Sequence, residues 1–145
     1  MENQQPCFGD ADSAHAYDIV LRPLCDVRQS EQVDPDNVRK LREAILRTGR
    51  WLEPIIVERS RGIVMDGNHR FNAALQLGLK RVPCIELDYA DPRVCVRHWR
   101  TGQAFEVARI FTTIARGEIF PYKTTRHAFD PALPVVAIAL DNLYG

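Results

Sequence analysis

Ile63-Val64-Met65-Asp66-Gly67-Asn68-His69-Arg70-Phe71-Asn72-Ala73-Ala74-Leu75-Gln76-Leu77-Gly78 is the stretch that decides the fold. An apolar run ends at an acidic residue, a glycine permits a sharp turn, and an Ala/Leu-rich segment follows that stops at a second glycine. The reading is strand, turn, helix. The first N–H groups of such a helix have no internal partner, and the positive end of its dipole lies behind them. Residues 66–70 therefore form a candidate anion site. Arg70 adds a bidentate grip on phosphate, and His69 a donor or a proton-transfer group. Asp66 does not suit a purely anion-binding role. An acid beside a phosphate usually holds Mg²⁺ or orients a nucleophile. The same letters also read as plain turn chemistry, with Asn68 as a helix cap. The pattern alone supports both.

Working outward, Pro54-Ile55-Ile56-Val57-Glu58 is a strand, joined through the turn at 59–62 to its hairpin partner at 63–65. Upstream, Asp34 caps a helix that begins at Pro35, presents Val38, Leu41 and Ile45 to the core and ends at Gly49. Tyr17, Ile19 and Leu21 alternate as a half-buried first strand. Downstream, residues 82–87 form a strand, Asp91-Pro92 turns the chain, and Val94, Val96 and His98 alternate through another. Residues 104–115 are predicted to be a third helix, with Phe105, Ala108, Phe111 and Ile114 on one side. Residues 118–129 read as a basic loop, and 134–140 as an edge strand or a docked tail. The order predicts one α/β domain over 17–145, with a small mixed sheet and about three helices, behind a flexible tail at 1–16.

The bulk numbers agree with one domain. The chain has 145 residues, 46% of them hydrophobic and 26% charged, which is ordinary globular composition. Its 19 basic and 19 acidic residues cancel, and this argues against a nucleic-acid partner held by phosphate neutralisation. Cysteines at 7, 25, 84 and 95 form no CxxC pair and no zinc spacing. They fit reduced thiols in a cytoplasmic protein. The polar N-terminus carries no signal-peptide pattern, and the apolar run at 133–140 is too short to span a bilayer.

Three segments carry a family resemblance. Pro54-Ile55-Ile56-Val57, then Asp66-Gly67-Asn68-His69-Arg70-Phe71-Asn72-Ala73-Ala74, then Leu77-Gly78-Leu79-Lys80-Arg81-Val82-Pro83-Cys84 resemble the core of the ParB/sulfiredoxin-like superfamily. In ParB proteins the comparable turn binds nucleotide phosphates. In sulfiredoxins it carries a catalytic cysteine, for which this chain has Asn68, so sulfiredoxin chemistry is not expected. Phe120-Pro121-Tyr122-Lys123-Thr124-Thr125-Arg126-His127 is similar to a late motif of the free L-serine kinases of this superfamily. Those enzymes carry an Asp-Gly-His-His-Arg-like turn, from which Asn68 departs.

This resemblance implies a kinase of free L-serine or a similar hydroxy amino acid, using ATP or ADP with Mg²⁺. It implies Glu31, just before the first helix, as base on the acceptor hydroxyl, with Asp66 and His69 beside it in catalysis and Asp66 as the metal ligand. Gly67, Asn68, His69, Arg70, Lys123 and Thr124 would hold the nucleotide. Trp99, Thr124, Arg126 and His127 would hold the acceptor, with Arg126 suited to its carboxylate. The competing reading is a ParB-like nucleotide-dependent DNA-binding or regulatory module. The acceptor's identity, the choice between ATP and ADP, and the oligomeric state are not legible in these residues.

Overall fold

The computed structural model describes residues 16–145. The expected tail therefore lies outside the described residues, except for Ala16. That residue is packed against the core beside Tyr17, and its carbonyl accepts from Arg93.

Four strands make the central sheet in the order β1 (Val20–Pro23), β5 (Arg81–Leu87), β3 (Ile55–Glu58), β4 (Val64–Asp66). β5 runs parallel to β3, with Ile56 opposite Ile85, and the two outer pairings are antiparallel. The sheet is thus mixed, as the sequence predicts. Its inner strands alternate between two apolar layers. Ile55, Val57, Val64, Val82 and Cys84 face one layer, and Ile56, Met65, Ile85 and Leu87 the other. Burial on both faces explains why the β3 sequence is a continuous apolar run rather than a strict alternation.

Helix α1 (Pro35–Thr48) is bounded as expected, with the Asp34 side chain accepting from Asp36 N–H and Gly49 at the C-terminal end. Helix α2 (Asn68–Leu77) packs against α1 and covers the first layer with Phe71 and Ala74. The chain's end closes the same layer. β8 (Ile138–Ala139) pairs with β2 (Arg50–Trp51), and Leu140 and Leu143 enter the core. The tail is docked, contributing only a two-residue strand. β1 is more exposed than expected. Leu21 faces outward, and Tyr17, which lies before the strand, is the buried residue.

Two expectations fail in the last third. Helix α3 is Val107–Ala115, not 104–115, because Ala104 bridges to Arg97 as extended chain. Its packed side is Val107, Ile110, Phe111 and Ile114, with Ile110 buried and Ala108 exposed. Residues 125–129 are not loop. β7 (Thr125–Phe129) pairs antiparallel with β6 (Val94–His98) in a two-stranded ribbon, with His127 opposite Val96. Twenty-six residues separate the two strands, so no short turn announces the pairing. Among the described residues no helix is long and apolar enough to cross a membrane.

Candidate active site

β4 delivers Asp66 to the sheet's edge, and Gly67 turns the chain into α2 with φ 118°. A Cβ there would sit 3.0 Å from Arg70 Nη2 and 3.2 Å from Ile55 Cγ2, so both the backbone angle and the packing call for glycine. The first helical bond is Phe71 N–H to Gly67 C=O, 2.8 Å. The N–H groups of residues 68–70 precede it, which is the condition for an anion site at a helix start.

A second segment reaches this turn from the other end of the chain. Phe120 N–H donates to Ser30 C=O (2.9 Å), and Gln32 N–H donates to Phe120 C=O (2.8 Å). This short parallel contact lays residues 30–32 alongside the approach to β7. Together the three stretches line a cleft of about 310 Å³ whose walls include Glu31, Asp66, Gly67, Asn68, His69, Trp99, Lys123, Thr125, Arg126 and His127.

Glu31 is buried, and its Oε2 accepts from Thr125 N–H at 2.8 Å and from the Thr125 hydroxyl. Asp66 is half-exposed at the cleft, 3.6 Å from Arg70 Nη2. His69 Nε2 accepts from Asp34 N–H at 3.0 Å. The neutral ring then carries its proton on Nδ1, and burial lowers its pKa, Asp34 pulling in the opposite sense. His69 is thus built as a neutral donor, and its Nε2 is committed. Trp99 is exposed at the rim, with Lys123 Nζ 5.2 Å and Arg126 Cζ 5.3 Å from its ring centre. Lys123 holds φ 59°, a left-handed conformation unusual for a lysine.

Four assignments need correction. Arg70 does not line the cleft. Its Nη2 donates to Pro54 C=O at 3.1 Å and its Nη1 lies 3.4 Å from Glu53, so the guanidinium is turned back against the loop before β3. Thr124 also stays out of the lining, because its hydroxyl closes the preceding turn on Pro121 C=O at 2.6 Å. The Asn68 side chain faces protein. Its Oδ1 accepts from Ser30 N–H (2.8 Å) and Glu31 N–H (3.4 Å), and its Nδ2 donates to Ser30 Oγ (3.1 Å). Its backbone N–H is what it offers at the helix start. His127 is held at Nε2 by Tyr89 Oη (2.8 Å), and burial pushes its pKa down to about 4. It is neutral near pH 7 and cannot attract a carboxylate by charge.

Sequence reasoning missed Thr125, the residue that holds Glu31. It stood inside the quoted motif. The alternation Thr125, His127, Phe129 would have put it on the inner side, had that stretch been read as a strand.

Among the described residues no cluster of three or more His, Cys, Asp or Glu side chains forms a metal cage. Asp66, the half-exposed carboxylate of the cleft, fits an ion that needs few protein ligands. Mg²⁺ is commonly held by one or two carboxylates with substrate phosphates and water completing its shell.

The comparisons bear on fold and family. A ParB-like protein of Sulfolobus acidocaldarius is 44% identical over 55 residues, 38% of this chain and 28% of that protein. An ATP-dependent L-serine kinase of Staphylothermus marinus is 40% identical over 73 residues, 48% of this chain and 29% of the kinase. The matched region thus spans less than a third of either relative's length. A solved free serine kinase in complex with AMP shares the fold with a TM-score of 0.80 at 15% identity, covering 88% of this chain and 94% of its own. A C-terminally truncated SbnI of Staphylococcus aureus shares it with a TM-score of 0.71 at 15% identity, covering 90% of each chain. The ParB N-terminal domain family matches residues 14–109, most of the chain, and the superfamily implied by residues 54–84 is upheld: the chain belongs to the ParB N-terminal domain family.

Proposed function

We propose that this chain transfers a phosphoryl group from ATP or ADP to the hydroxyl of free L-serine or a similar hydroxy amino acid. One observation carries the reading. The Glu31 carboxylate and the amide-bearing start of α2 line the same cleft, although 37 residues separate Glu31 from Asn68. Phosphoryl transfer needs chiefly positioning and charge stabilisation, with a base or orienting group at the nucleophile.

In this reading the N–H groups of Asn68 and His69 and the Nδ1–H of His69 take the donor's phosphate oxygens. Lys123 adds charge at the rim. Mg²⁺, held by Asp66, would neutralise phosphate charge. Glu31 accepts the hydroxyl proton as the acceptor oxygen bonds to phosphorus and the bond to the nucleotide's bridging oxygen breaks. Such a base contributes roughly 10²- to 10⁴-fold. Arg126 holds the acceptor's carboxylate, and Trp99 walls that end. The L-serine kinase among the sequence relatives supports the acceptor class, and the AMP-bound neighbour supports the nucleotide.

The ParB-like relative favours a second reading, a nucleotide-binding regulatory module. The two separate on one experiment. The protein is incubated with Mg²⁺, ATP or ADP, and L-serine, and followed by phosphorus NMR. A phosphoserine resonance is expected. Absence of any phosphoester with serine, threonine or homoserine overturns the kinase reading, and salt-dependent retention of duplex DNA would then support the module.

A further inference from the structure

We infer that Asn68 and Thr125 are positioning residues that fix Glu31 from its two ends, Asn68 by the backbone and Thr125 by the carboxylate. The roles rest on the kinase reading above, whereas the contacts do not. Residues 28–32 are not part of a regular strand, so their backbone N–H groups need partners from elsewhere. The amide side chain of Asn68 supplies one. Its Oδ1 takes Ser30 N–H at 2.8 Å and Glu31 N–H at 3.4 Å. Its Nδ2 reaches Ser30 Oγ at 3.1 Å, and that hydroxyl donates to Val64 C=O at 2.7 Å on β4. The loop bearing Glu31 is thus tied to the strand and helix that form the anion site.

Asn68 therefore joins the two halves of the site. Its backbone N–H belongs to the helix start, and its side chain sets where the Glu31 backbone lies. One residue thus ties the helix start at the donor's phosphates to the segment that carries the base. Across the cleft, Thr125 directs both its N–H and its hydroxyl to Glu31 Oε2. Both donors converge on one oxygen, which leaves Oε1 for the acceptor's proton. The next strand residue, Arg126, lies over the Trp99 ring at 5.3 Å, so a single strand start orients the base and presents the carboxylate grip. A base displaced by about 1 Å can lose on the order of 100-fold in rate while binding is kept.

The test uses three variants of the full chain. Thr125→Val removes the hydroxyl and keeps the N–H, Thr125→Ser restores the hydroxyl, and Asn68→Ala removes the strap while keeping the backbone amide. With serine as acceptor, kcat is expected to fall about 10- to 100-fold in Thr125→Val and Asn68→Ala, with the nucleotide KM within about twofold, and to recover in Thr125→Ser. Full kcat in Thr125→Val, or a raised nucleotide KM with unchanged kcat in Asn68→Ala, overturns the assignment. The contact is also read without turnover. Exchange of the Thr125 amide hydrogen is expected to quicken about tenfold in Glu31→Ala, where its acceptor is gone. Unchanged exchange would refute the Thr125–Glu31 contact even in an inactive protein. No phosphoester from the wild type, together with quickened exchange in Glu31→Ala, would refute the kinase reading and leave the Thr125–Glu31 contact standing.

Discussion

Glu31 and Arg70 invert what their types suggest. A buried glutamate before a helix looks like a liability, yet it lines the cleft with its Oε2 held by Thr125. An arginine just after a glycine turn looks like a phosphate clamp, yet its guanidinium is engaged by Pro54, Glu53 and Asp66. The two substitutions should therefore separate cleanly. Glu31→Gln is expected to remove turnover by about 10²- to 10⁴-fold while nucleotide affinity, measured calorimetrically, stays within about twofold. Arg70→Ala is expected to cost about 1–2 kcal/mol of stability in a urea titration, because it strips the Pro54 carbonyl of its donor and leaves a gap behind Gly67. Its nucleotide affinity should change little. A large affinity loss with unaltered stability would return Arg70 to the binding surface. The amino acids alone could not distinguish these cases, since guanidinium direction depends on which carbonyl lies within reach.

The turn from β4 into α2 is the element on which the cleft is hung. Gly67 and Gly78 bound the same helix, and both have positive φ, but their surroundings differ. A Cβ at Gly67 meets Ile55 and Arg70, whereas one at Gly78 meets nothing within 4 Å. Gly67→Ala should then destabilise the fold by about 1–3 kcal/mol and weaken nucleotide binding, because the helix start must shift. Gly78→Ala should cost about 1 kcal/mol with binding unchanged. Denaturation midpoints and nucleotide titrations of both variants check this contrast. Equal binding losses at the two positions would remove the special role of the α2 start. At this scale the sequence was largely readable. Capping at Asp34, the glycine stops and the buried β3 run are all local signals. β7 was not readable, because its partner β6 lies beyond a helix and its basic residues resemble a surface loop.

For the whole molecule, His127 makes stability depend on pH. Its pKa is about 4 in the fold against an ordinary value of 6.5, owing to burial. As pH falls, the unfolded chain takes up this proton first. Its contribution is therefore fully present above about pH 6.5, is lost as pH falls toward about 4, and is flat below. Because one side of the ring meets the cleft and its water, the loss should be on the order of 2 kcal/mol. Urea midpoints of the wild type and His127→Gln, compared across that window, isolate it from the carboxylates. A constant difference between the two proteins would show that His127 is not held neutral.

From the letters alone came the strand–turn–helix at 63–78, the α/β class with a mixed sheet, the superfamily, and the stretches that line the cleft. These follow from short-range rules: apolar spacing, helix caps, and the backbone geometry that glycine permits. Tertiary structure alone decided which side chains from those stretches meet. It turned Arg70 and Thr124 away, spent Asn68 on Ser30 and Glu31, made His127 neutral, and brought Thr125 to Glu31 across 94 residues. The reason is physical. A side chain's role depends on the polar partners and the water around it, and those are supplied by segments that the chain brings together only when the sheet and its ribbon have formed.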